Sequence, residues 1–244
     1  MEKVDRRADR REVWRGRAER VRDAFGLVLV LVLLTYVLAS LMDNRGWSAV
    51  VLILATGTTS VVALTSSHVR AGFVRAALWL SALTVVLAVV AAAADAPWIL
   101  NVASVIQILL LAFAMAAVLW RVVTSVEVGS RTILGAISVY AVLGILFTVA
   151  YGTIDRIQDG PFFEEVAHPD GSDFIFFSYT TLTTTGYGNL VPGGQPGRMI
   201  SGLEMMLGQI FLVTLVAGLV SLWRPGEALR RRRERRDATG ESPS

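Results

Sequence analysis

Six long stretches almost without charge limit what this 244-residue chain can fold into. They cover residues 24–42, 46–67, 76–94, 96–120, 132–154 and 199–223, and only the last holds a charge, Glu204. Each is close to the roughly 20 residues that cross the hydrocarbon core of a bilayer. Lipid offers no partner to a peptide group, so an isolated span must satisfy its own backbone as a helix. The expected fold class is an all-α membrane protein with six transmembrane helices. Hydrophobic residues make up 54% of the chain against 18% charged, and most charges lie at the two ends. The first span is long, with an extended basic flank and no clear small-residue cleavage site, so it reads as a retained span. With no cysteine, disulfides and thiolate metal sites are excluded.

Loop charges orient the spans. Residues 1–23 carry nine Lys or Arg, the second connection has Arg70 and Arg75, and the fourth has Arg121 and Arg131. The tail holds Arg224, the run 230–233, Arg235 and Arg236. The alternate connections are short or acidic. The positive-inside rule then places both termini in the cytoplasm, as an even number of spans also requires. The chain divides into a basic cytoplasmic helix over 1–23, a four-helix bundle over 24–120, a cytoplasmic linker over 121–131, a last pair of spans over 132–223, and a short basic tail over 224–244. Residues 1–23 read either as a surface helix laced by i,i+4 ion pairs or as a solvated tail. The basic ends suit anionic lipid headgroups better than nucleic acid.

The bundle carries little polarity. Asn101, Ser104 and Gln107 share one face of the fourth span, where uncharged polar residues act either as packing contacts between helices or as a functional site. That span has no basic residue before Arg121. Each gating charge couples by roughly 2.3 kcal/mol per 100 mV, so this bundle has no means of steep voltage dependence.

The connection between spans five and six runs from Asp155 to Arg198. Its first part holds Asp155, Asp159, Glu164, Glu165, Asp170 and Asp173 against Arg156, a field that concentrates cations. Asp170-Gly171-Ser172-Asp173 reads as a capped helix start. The apolar run 174–182 is half a span long, so it is expected to enter the membrane and turn back. It leads into Thr184-Thr185-Gly186-Tyr187-Gly188.

That pentapeptide resembles the selectivity filter of potassium channels, usually written TVGYG. The order of outer helix, pore helix, filter and inner helix over 132–223 resembles that family's pore, and the whole chain resembles a six-span member of prokaryotic type without sensor arginines. The resemblance implies a re-entrant pore helix and filter loop between helices five and six. It implies potassium held by the carbonyls of Thr184, Thr185, Gly186 and Tyr187 and by the Thr184 hydroxyl, with no cofactor besides the permeant ion. Gly186 and Gly188 would allow the backbone to alternate in handedness without a Cβ penalty. Phe176, Phe177 and Tyr179 are expected to sleeve the filter, with Phe176 and Phe177 standing where relatives often carry Trp. Thr180 and Asn189 stand where some relatives place a Glu–Asp pair, so that carboxylate pair is missing. Glu204 matches a glutamate that supports the filter from behind; a structural bond and direct ion contact are its two readings. Gly208 matches the inner-helix hinge, and close packing is its other reading.

One chain supplies one filter strand, so ring closure implies a homotetramer. The expected function is passive, potassium-selective conduction across the cell membrane. The alternatives are a non-conducting scaffold or regulatory subunit, and a nonselective cation channel. No regulatory domain is visible in the tail, so the gating stimulus stays open among lipid, protons, tension, filter gating and constitutive leak. Thr183, Thr184 and Thr185 lack an accompanying His or paired acid, so an enzyme is not expected.

Overall fold

A computed structural model describes residues 25–42, 46–67, 69–124 and 130–222. The expected 1–23 helix, the turn at 43–45, His68, residues 125–129 of the linker and the tail from 223 lie outside them. Among the described residues seven helices follow in order: α1 Phe25–Leu41, α2 Gly46–Ser66, α3 Ala71–Ala94, α4 Pro97–Val123, α5 Ser130–Ile157, α6 Gly171–Leu182 and α7 Gln195–Leu222. Internal contacts divide the chain into two units, 1–209 and 210–244.

Five of these helices are long and apolar enough to cross a membrane: α2, α3, α4, α5 from Thr132, and α7 as far as Leu215. The chain is thus an all-α, multi-pass membrane protein. The apolar helix α1 has 17 described residues, which rise about 26 Å. The helices outrun the charge-free stretches. α3 begins at Ala71 and includes Arg75, and α5 runs through Asp155 and Arg156 to Ile157. Long basic side chains at a helix end can reach the interface while the backbone stays helical, so charge marks the edge of the apolar layer better than the end of the helix. α7 starts at Gln195 and takes in Pro196, which the first turn tolerates because the N–H that proline lacks would have had no intrahelical partner there.

Small residues set the packing of α2, α3 and α4. Ala49, Ala88, Ala91 and Ala103 share one buried cluster between them, the composition that lets helix backbones approach in lipid. A Cβ on Gly57 would lie 3.3 Å from Ser81 Cβ. Asp95 closes α3 in the left-handed region at φ 47°, with its N–H on Ala91 O, and Pro97 opens α4 two residues later.

α5 packs against both α4 and α1, and α6 packs against α5 and α1. The first residue of α6, Gly171, lies directly on the end of α1. A Cβ there would collide with the Met42 carbonyl and stand 2.8 Å from the Ala39 carbonyl. Arg156 turns inward from the acidic connection. Its Nε donates to Asn101 Oδ1 at 2.9 Å and its guanidinium to Ser104 Oγ at 2.8 Å. The face of α4 expected to make packing bonds therefore meets a charge from α5.

Candidate functional site

Between α5 and α7 the chain builds a support for one short loop. The support begins with an apolar plug in the acidic connection. Phe162 and Phe163 are buried with Tyr151 of α5, Phe174 and Phe177 of α6, and Leu190. Phe163 meets Phe177 edge-on at 5.2 Å and Tyr151 meets Phe177 at 5.1 Å, spacings within the favourable range for aromatic pairs. The same segment holds the chain leaving the loop. Glu164 N–H donates to Val191 O and Gly193 N–H to Phe162 O, both at 2.9 Å. Arg198 joins Pro192 O at 3.0 Å and Glu164 Oε1 at 2.6 Å. A reading of 155–173 as a charge field alone misses this plug. The adjacent pair Phe162-Phe163 inside an acidic stretch was the available signal.

α6 starts on a reciprocal cap. Asp170 accepts from Ser172 N at 2.7 Å and Asp173 N at 3.1 Å, while Asp173 Oδ2 accepts from Asp170 N at 3.0 Å. This capping box satisfies donors that the helix start would otherwise leave unpaired. The Asp170 carboxyl is held below the ordinary carboxylate range. The Ser172 hydroxyl is the main cause, partial burial pushes the other way, and the N–H groups of Asp173 and Ser172 add to the lowering.

Three hydroxyl groups lace α6 to α5. Ser178 Oγ lies 2.8 Å from Gly144 O, Tyr179 donates to Ala141 O at 2.7 Å, and Tyr140 donates to Leu182 O at 3.1 Å. Gly144 makes this fit, since a Cβ there would stand 2.7 Å from the Tyr179 ring. Tyr36 of α1 meets that ring edge-on at 5.1 Å. Tyr179 therefore faces α5 and α1. Glu204 of α7 is fully buried; its carboxylate contacts Ser178 Oγ at 2.6 Å and accepts from Tyr151 OH. One acid thus ties α7 to α6 and α5. A polar group buried at this depth must be hydrogen-bonded, but the sequence does not say that Tyr151 and Ser178 supply the bonds.

The end of α6 is tied to the loop that follows. Tyr179 O accepts from Thr183 N, Thr181 O from Thr184 N, and Thr180 O from both Thr185 N (2.8 Å) and Gly186 N (3.2 Å). With Tyr140 on Leu182 O, each of the last four carbonyls of the helix has a donor, which a helix end needs when water is absent. The loop then alternates. Thr184, Gly186 and Gly188 have φ of 58°, 51° and 79°, and Thr185 and Tyr187 between them do not have positive φ. At Gly186 and Gly188 an added Cβ would meet nothing within 4 Å in the chain, so it is the backbone conformation that calls for glycine. A β-branched residue at positive φ is a genuine outlier; at Thr184 the adjacent hydrogen bonds hold it there.

The structure thus brings Thr184, Thr185, Gly186, Tyr187 and Gly188 onto one loop, with every residue from 183 to 189 exposed in the single chain. The Tyr187 ring stacks on Phe176 at 5.7 Å, whereas Phe177 lies in the aromatic plug. The Thr185 hydroxyl is 2.8 Å from that of Thr183. Thr180 donates back to Phe177 O at 3.1 Å, Asn189 is exposed, and no hydrogen bond joins the two among the described residues. Gly208 lies against the end of α6. A Cβ there would collide with the Leu182 carbonyl and stand 2.8 Å from Leu182 Cδ1. The described residues hold no group of three or more His, Cys, Asp or Glu placed to bind a metal.

No curated protein and no solved structure gives a match to this chain. Residues 157–224, which span the acidic connection, α6, the alternating loop and α7, match the family model described as an ion channel. Together with the apolar helices, that match supports an ion channel in a multi-pass membrane protein.

Proposed function

We infer that the chain is one subunit of a homotetrameric, potassium-selective channel that conducts passively across the cell membrane. In this reading α1 is the first of six spans, both termini are cytoplasmic, and α6 is a re-entrant pore helix. Residues 184–188 are one of four filter strands. The observation that carries the reading is the alternation of handedness at Thr184, Gly186 and Gly188 at the end of a fully tied helix. Alternation lets successive carbonyls face one axis, and stacked carbonyl rings from several chains replace the hydration shell of an ion. The exposure of the whole loop in one chain and the bare apolar face of α7 at Met199, Leu203, Met206 and Leu207 suit closure by further copies. Conduction without steep voltage dependence rests on the absence of basic residues in α4 before Arg121.

The test is purified protein in liposomes under a potassium gradient. Reversal potential is recorded as sodium replaces potassium, with Gly186→Ala as control. A reversal near the potassium equilibrium potential, lost in the variant, is the expected result. Equal permeability for sodium and potassium would move the reading to a nonselective cation channel. An absence of current under every lipid, pH and tension tried would favour a non-conducting scaffold.

A further inference from the structure

The centre of the helix bundle holds a polar residue that the loop does not use. Gln107, in the middle of α4, is fully buried. Its Oε1 lies 3.4 Å from Thr84 Oγ1 of α3, a hydroxyl that also donates to Ser81 O at 2.9 Å. Its Nε2 has no partner among the described residues. An amide nitrogen carries two N–H donors, and a buried amide without an acceptor is destabilising.

Gln107 also lines a cavity, together with Thr35 of α1, Thr56 of α2, Ser104 of α4, Thr148 of α5 and Gly171 at the start of α6. No residue of α3 lines it. Since Oε1 faces α3, the amide nitrogen is the end left to the cavity. The space amounts to about 40 Å³ for the centres of water molecules, and one water needs about 10–15 Å³ of such space.

The surrounding hydroxyls define what fits. Thr35, Thr56 and Thr148 each donate to a carbonyl of their own helix, at Leu31, Leu52 and Gly144. Their hydrogens are committed and their lone pairs remain. Ser104 Oγ accepts from Arg156 at 2.8 Å. An occupant that accepts from Nε2 and donates to a threonine oxygen satisfies both sides. The lining carries no charged side chain, so an ion would be left uncompensated. A small hydroxyl compound meets both demands.

We propose that this cavity is a binding site for small neutral hydroxyl molecules, either water or a short alcohol, anchored on Gln107 Nε2. It lies where the α1–α4 bundle meets α5 and α6.

The test is solid-state NMR of the full chain in bilayers with ¹⁵N-labelled glutamine. The chain has Gln at 107, 158, 195 and 209, and Gln107→Leu identifies the Gln107 side-chain signal by its loss. Transfer of magnetisation from water protons to this amide, but not to the backbone amides of Leu110 and Leu111, is the result expected for water. Transfer from the methyl protons of added ethanol, with the water contact reduced, is the result expected for an alcohol. Transfer from neither would overturn the proposal. Stability provides a second readout. An occupied site predicts that Gln107→Leu lowers the unfolding midpoint, because it removes the anchor of a bonded cluster. A rise in the midpoint would mean that leucine relieves an unpaired amide in a dry cavity, and would also overturn the proposal.

Discussion

Removing the Tyr151 hydroxyl tests whether one buried acid holds three helices together. Tyr151 and Glu204 are both fully buried, and Tyr151 donates directly to Glu204. Tyr151→Phe leaves the ring in its aromatic cluster and deletes only the donor. A hydrogen bond contributes about 0.5–1.5 kcal/mol net, and a buried partner left unsatisfied costs about 1–3 kcal/mol. The expected loss for the single variant is therefore about 2 kcal/mol. Glu204→Leu should cost a comparable amount, since the Tyr151 hydroxyl then loses its acceptor while Ser178 keeps Gly144 O within reach at 2.8 Å. The double variant removes donor and acceptor together, so its loss should fall short of the sum by about 1–3 kcal/mol. The assay is unfolding of the four proteins of this cycle in mixed micelles at rising detergent denaturant. Losses that add to within about 0.5 kcal/mol would refute the reasoning and reduce the contact to proximity.

Four further outcomes follow from the same geometry. Gly208→Ala should destabilise by about 1–3 kcal/mol through overpacking, because its Cβ meets the Leu182 carbonyl and Cδ1; an unchanged unfolding midpoint would favour a pure bending role. Gly186→Ala should cost about 1–2 kcal/mol in backbone strain, although nothing crowds the position, and should abolish the preference for potassium in the liposome assay. Arg156→Met should destabilise by about 1–2 kcal/mol through its bonds to Asn101 and Ser104, and Arg156→Lys should fail to restore it, since lysine lacks the planar fork. The Asp170 carboxyl is lowered relative to an unfolded chain, so the stability it contributes is present above about pH 4. That contribution is lost as pH falls through the lower folded value; Asp170→Asn should flatten this acid limb in a pH series of unfolding midpoints.

That the uncharged runs form apolar helices was legible in the sequence, because lipid imposes one solution on them: a helix that bonds to itself. The start of α6 was legible for a similarly local reason, since Asp170 and Asp173 cap donors within their own turn. The glycines at 186 and 188 marked a loop that needs positive φ, but nothing in a β-branched threonine announced that Thr184 would share it. Helix ends were blurred, because Arg75 and Arg156 stand in turns that remain helical.

Tertiary structure decided everything that depends on distance across the chain. The residues that bind Glu204 stand 53 and 26 positions away, and no periodicity connects them. Phe176 and Phe177 are neighbours in sequence, yet one stacks on Tyr187 and the other fills the aromatic plug, because adjacent helical positions point about 100° apart. The face of Asn101 and Ser104 was visible on α4, but that it meets Arg156 of α5 follows only from the packing of those two helices. Local backbone chemistry is written residue by residue, whereas a buried polar group finds its partner only when the helices carrying both are brought together.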